Sequence, residues 1–198
     1  MKTYSVTIAR EYGSGGRLIG KQLASELGIG FYDKELIVLA ARESGLHEDF
    51  IETMDQKKAS SFFYNLYMPY NVVPIPEQIF LAQSKAIKDL AERESCVIIG
   101  RCGDYVLGDV KNCVRIFIHA PMEYRVELVK KEYQEGGNSP VEFIRKQDKY
   151  RASYYDFFTQ HKWGRAQNYN ICLDSSIGIA KTVGILKTYI EEYISKAE

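Results

Sequence analysis

The apolar run YSVTIA (4–9) is rich in β-branched residues and too short for a helix, which predicts a buried strand. Beyond it Leu18, Ile19, Leu23 and Leu27 share one face of an amphipathic stretch, and Gly28 stands where such a helix would stop. IGFYD (29–33) predicts a second, short strand. From Lys34 to about Glu94 the pattern is helical with interruptions. It is clearest in PEQIFLAQSKAIKDLAERE, where Pro76 suits a first turn and Phe80, Gln83, Ile87 and Leu90 line one face. The preceding SFFYNLYMPYNVVPIP (61–76) mixes aromatics with three prolines and predicts a loop or irregular subdomain whose aromatics pack locally.

CVIIG (96–100) and CVRIFIHA (113–120) read as further buried strands. A helix from Pro121 to Gly136-Gly137 should turn Met122, Val126, Val129 and Tyr133 inward and leave Arg125 at the surface. SPVE (139–142) has the form of a capping box with proline in the first turn, opening a helix to about residue 160. YNICLD (169–174) predicts a last strand. Asp174-Ser175-Ser176 should then cap a final helix through Ser175 or Ser176, with Ile179, Val183, Leu186 and Ile190 as its stripe.

Strands alternating with helices imply a parallel sheet covered on both faces, with ligands outside the carboxyl ends of its strands. That singles out Arg10 to Arg17, Asp33 and Gly100-Arg101. The first of these, REYGSGGR, is glycine-rich and lies between a strand and a helix. There, consecutive backbone N–H groups and the helix N-terminus can hold phosphate oxygens.

The pattern G-x-x-x-x-G-K-[ST] is only half met. A register from Gly15 supplies Gly20 and Lys21 but sits too far beyond the strand. The register that follows the strand directly puts Arg10 at the first glycine, Gly15 at the second, Gly16 at the lysine and Arg17 at the Ser/Thr position. This leaves Arg17 as the only nearby cation and Ser14 or water to replace the metal-binding hydroxyl. A glycine-rich turn without a ligand is the competing reading.

Composition narrows the field. The 198 residues suffice for one domain, and Lys plus Arg and Asp plus Glu each number 26, so no general attraction to nucleic acid or anionic membrane is expected. Charge is local: Glu43, Glu48, Asp49, Glu52 and Asp55 form an acidic run, whereas Arg145, Lys146, Lys149, Arg151, Lys162 and Arg165 dominate 145–165, as in an anion clamp or a solvated helix face. Cys96, Cys102, Cys113 and Cys172 have no metal spacing and read as buried thiols. His47, His119 and His161 show no ligand spacing. With no leader before MKTYSVTIAR and no apolar stretch of the ~18 residues a membrane span needs, a cytoplasmic protein is expected.

TIAREYGSGGRLIGKQLASELGIGFYDKELI, CVIIGRCGDYVL, DKYRASYY and NYNICLDSS, in that order, resemble the cytidylate kinase-like family of P-loop proteins, from about residue 3 to 193. The resemblance implies a three-layer α/β P-loop kinase fold with a five-stranded parallel sheet and helices on both faces. It also implies a nucleoside-monophosphate-binding insertion at about 35–94, a lid at about 139–165, and transfer of the γ-phosphoryl of ATP to CMP or dCMP with Mg²⁺. It assigns Gly13, Ser14, Gly15, Gly16 and Arg17 to the donor phosphates, and Asp33 and Arg101 to the acceptor. Cys102 replaces the carboxylate of the family's Gly-Arg-Asp motif, with Asp104 as a stand-in. Arg145, Asp148 and Arg151 fall on the lid, where Asp148 and Arg151 keep its Asp-x-x-Arg spacing; they would also form an ordinary i,i+3 helix pair.

A cluster of Arg17, Arg101, Arg145 and Arg151 can stabilise phosphoryl transfer without the usual lysine, because positioning and cations supply most of the rate. Arg17, Arg101, Asp148 and Arg151 are the catalytic candidates. The alternatives are a non-catalytic nucleotide-binding or regulatory protein, and a kinase for another small acceptor. Small-molecule nucleotides are the expected partners, and the chain is expected to be a monomer or homodimer.

Overall fold

A computed structural model describes residues 3–33 and 75–196. The acidic run, His47, most of the insertion and nearly all of the 61–76 segment lie outside the described residues. The described strands are β1 (Ser5–Arg10), β2 (Gly30–Tyr32), β3 (Cys96–Ile99), β4 (Cys113–His119) and β5 (Ile171–Asp174). They form one parallel sheet in the order β2-β3-β1-β4-β5. The helices are α1 (Gly16–Leu27), α2 (Ile75–Arg93), α3 (Gly103–Val106), α4 (Met122–Leu128), α5 (Pro140–Thr159) and α6 (Ile179–Ser195).

The period-2 alternation of the strands sorts the core into two layers. Val6, Ile8, Val97, Ile99, Val114, Ile116 and Ile118 meet Ile19, Leu23 and Ala24 of α1 and Val183, Leu186 and Ile190 of α6. On the other face Cys96, Ile98 and Cys113 meet Ile87 and Ala91 of α2 and Leu107 beyond α3. A smaller cluster of Ala9, Phe117 and Tyr169, backed by Trp163, closes the carboxyl end of the sheet beneath the chain that follows α5. Gly20 lets α1 lie against the sheet, since a Cβ there would stand 2.5 Å from Ile99 Cδ1.

The expected element order is present, and the family fold is seen in the sheet. Three local expectations change. The helix after β4 does not reach Gly136: α4 widens into a π turn at Val129–Tyr133 and stops where Gln134 turns left-handed at φ 52°. Pro140 opens α5 as expected, but Ser139 makes no side-chain cap bond, so the capping box does not form. At the other end Asp174, not Ser175 or Ser176, accepts a backbone N–H, that of Ser176, within a 3₁₀ turn, and Gly178 precedes α6. Ser175 Oγ instead donates toward Ser14 O and His119 O, tying β5 to the glycine loop.

Candidate active site

β1 ends at Arg10 and hands the chain to a loop whose Gly13 and Gly15 adopt φ 79° and 75°. Side chains rarely take these values. Gly13 also faces α4 so closely that a Cβ would stand 2.8 Å from both Arg125 O and Val129 Cγ2. Gly15 precedes α1 in left-handed geometry, and Gly16 is its first residue. The loop therefore presents the bare backbone and helix N-terminus that phosphate binding requires.

Arg125 corrects the surface expectation. Only 4% exposed, it donates from Nε to Tyr12 O at 2.7 Å, pairs with Glu11 at 3.2 Å, and bonds Asp148 of α5. Tyr12 N in turn donates to Asp148 Oδ1 at 2.7 Å. The Tyr12 ring meets Phe143 edge-on and carries the Arg151 guanidinium 4.9 Å from its centroid, and its hydroxyl bonds Glu135. Loop, α4 and α5 thus converge on Tyr12.

Ser14 does not fill the role of metal-binding hydroxyl. Fully buried, its Oγ donates toward Glu11 O at 2.8 Å and Ile118 O at 3.2 Å. Arg17 and Asp33 are brought together, but with each other: Arg17 Nε and Nη2 reach Asp33 Oδ2 at 3.0 and 2.6 Å. Among the described residues no group of three or more metal-ligating side chains assembles. With the Ser14 hydroxyl turned to carbonyls, these residues do not fit a loop-held Mg²⁺.

A cavity of about 360 Å³ opens beside the loop, lined by Arg10, Arg101, Asp104, Arg151 and Tyr154 among others. After β3 the backbone makes three consecutive left-handed residues, Gly100, Arg101 and Cys102, at φ 71°, 55° and 54°. Two of them bear side chains, a strained arrangement of the kind that clusters at binding sites. Arg101 lies 5.8 Å from the Tyr154 ring centroid, and Arg151 Nη1 donates to Arg10 O at 2.9 Å. Burial, then Arg151 and Arg101, with a smaller effect of Arg17, push the Arg10 pKa down to about 9.

Asp104 is 5% exposed and accepts the Tyr155 hydroxyl at 2.7 Å, while burial raises its pKa. It lines the cavity and anchors α5 to α3. Arg145 is exposed, has no partner among the described residues and does not line the cavity. Burial lifts the thiols of Cys96, Cys102 and Cys113 to about 11, 12 and 12, well away from thiolate chemistry. Arg10 and Tyr12 lay within the stretch the sequence singled out but received no role there, and Arg125 was expected at the surface; the one available signal was an arginine standing where the loop pattern has glycine.

The fold and this glycine loop define a protein of P-loop kinase architecture. The sequence pattern of the cytidylate kinase-like family matches residues 5–177, and the chain belongs to that family. Among solved structures it is similar to an uncharacterized protein from Eubacterium ventriosum, 27% identical with TM-score 0.74, covering 96% of this chain and 99% of that one. A shikimate kinase from Bacteroides thetaiotaomicron (14% identity, TM-score 0.57, 95% and 98% coverage) shares the fold. So does a gluconokinase from Sinorhizobium meliloti (14%, 0.53, 96% and 92%). No curated protein matches. Among the described residues no helix is long and apolar enough to cross a membrane.

Proposed function

We propose that the chain transfers the γ-phosphoryl group of ATP to a nucleoside monophosphate, with CMP or dCMP as the leading acceptors. The observation that carries this reading is the convergence of Arg10, Arg101 and Arg151 on one cavity beside the glycine loop. No carboxylate among the described residues forms an ion pair with Arg10 or Arg101. Guanidinium groups of which Arg10 and Arg101 have no direct carboxylate partner suit a ligand carrying several phosphates.

In this reading an acceptor phosphate oxygen attacks the γ-phosphorus, the bond to the β–γ bridging oxygen breaks, and ADP leaves with that oxygen. Arg101 and Arg151 hold charge on the transferring group, and the backbone of Gly13 to Gly16 holds the donor phosphates. Asp33, steered by Arg17, orients the acceptor, and residues 35–94 and 139–165 serve as acceptor insertion and lid. Magnesium arrives on the nucleotide rather than in a protein cage.

Steady-state ADP formation from MgATP with CMP, dCMP, UMP, AMP and GMP, each against a blank lacking acceptor, tests the proposal. Acceptor-dependent ADP supports it and ranks the acceptors. The burial of Ser14 favours one second reading, a nucleotide-binding protein without turnover, which predicts ATP binding with no acceptor-dependent ADP.

A further inference from the structure

In the usual loop the cation comes from the residue after the last glycine, which here is Gly16. A Cβ at Gly16 would stand 2.7 Å from Arg10 Cβ and 2.8 Å from Arg10 Cγ. The stem of Arg10 therefore crosses the space through which a side chain at position 16 would leave the backbone. Its guanidinium continues to Gly100, where an added Cβ would run into Nη1, and lines the cavity with Arg101 and Arg151. The two departures from the loop pattern fit each other: glycine at 16 makes room for the Arg10 stem, which passes the position of the missing lysine and carries its charge to the end of β3.

We propose that Arg10 is the phosphate-binding cation of this loop, replacing the absent lysine on the β- and γ-phosphates of a nucleoside triphosphate. The inference rests on the phosphotransferase reading and adds to it the residue that grips the donor. A guanidinium fork can hold two phosphate oxygens at once, where an ammonium acts as a point charge. Arg10 has no ion-pair partner among the described residues, and its neighbours Arg101 and Arg151 are cations, so a bound polyanion would give Arg10 the direct partner it does not have.

The test is calorimetric titration of MgATP and, separately, inorganic tripolyphosphate. The proteins are the wild type, Arg10→Gly, Arg10→Met, Gly16→Lys and the double variant Arg10→Gly/Gly16→Lys, each also melted by circular dichroism. Arg10→Met keeps the stem and loses the charge, so it reads the cation even if Arg10→Gly does not fold. Both Arg10 variants should bind the two probes about tenfold or more weakly, as for loss of a charged hydrogen-bonding group. Gly16→Lys alone should lower Tm, because its stem meets Arg10. The double variant, which recreates glycine followed by lysine in the usual order, should recover Tm and bind better than Arg10→Gly, a non-additive result expected of residues sharing one space. Wild-type binding undiminished in Arg10→Met overturns the role of Arg10 and leaves the phosphotransferase reading standing. A wild type that binds neither probe overturns both.

Discussion

The carboxylate of Asp148 on α5 accepts the backbone N–H of Tyr12 in the glycine loop at 2.7 Å, across 136 residues of sequence. Its other oxygen takes Arg125, so one side chain joins loop, α4 and α5. Replacing Asp148 with Asn leaves a buried guanidinium with Glu11 as its remaining carboxylate. Urea unfolding should show a loss of about 1–3 kcal/mol, the range for a charged hydrogen-bonded group. An unchanged midpoint would contradict the latch.

Gly13 combines positive φ with close packing against α4. Gly13→Ala should lower stability by about 1–3 kcal/mol, because the backbone strain and the contact with Arg125 O both oppose the added methyl. Thermal melting measures this, and a neutral result would mean the loop relaxes freely away from α4.

Arg17 is half-exposed and bridges to Asp33 at the end of β2. The Asp33 carboxylate is buried and takes two Arg17 N–H bonds, so Arg17→Ala should cost about 1–3 kcal/mol in thermal or urea unfolding, the range for loss of a charged hydrogen-bonding group. If Arg17 steers Asp33, the variant should raise the acceptor KM and leave the KM for ATP near its wild-type value. The opposite pattern would return Arg17 to the donor phosphates.

Asp104 provides a pH test. Burial raises its pKa in the folded state, so the folded protein holds this proton more tightly than the unfolded chain. Stability from this group is therefore present below the ordinary carboxylate pKa and falls as pH rises through the raised value. Asp104→Asn keeps an oxygen for the Tyr155 hydroxyl and removes the titration. Its stability relative to wild type should climb as pH rises from the ordinary carboxylate range; a pH-independent difference would mean the carboxyl is not shifted.

Much of the scaffold was legible because it follows hydrophobic periodicity. Val6 and Ile8 alternate in β1, Gly28 ends α1 with φ 66°, and Val183, Leu186 and Ile190 form the buried stripe of α6 as their spacing requires. The candidate site was legible as a place, the carboxyl ends of β1, β2 and β3, but not as a set of contacts. Arg125 lies on the buried side of α4, yet a periodicity argument treats arginine as polar and sends it outward. Its burial depends on Asp148 and Glu11, which only the tertiary structure brings near. Ser14 and Ser175 looked like a loop hydroxyl and a helix cap; both hydroxyls instead bind carbonyls where β1, β4 and β5 end. Arg10 was passed over because the loop register gave it a glycine's position, and only the direction of its stem past Gly16 points to the exchange proposed above.

The most direct test of phosphoryl transfer is ³¹P NMR of the wild-type protein with MgATP and CMP. The account predicts loss of the γ-phosphorus signal of ATP with equal appearance of ADP and CDP, dependent on both protein and CMP. ATP that binds, shown by shifted or broadened resonances, yet stays intact in the presence of CMP and the other nucleoside monophosphates would contradict it.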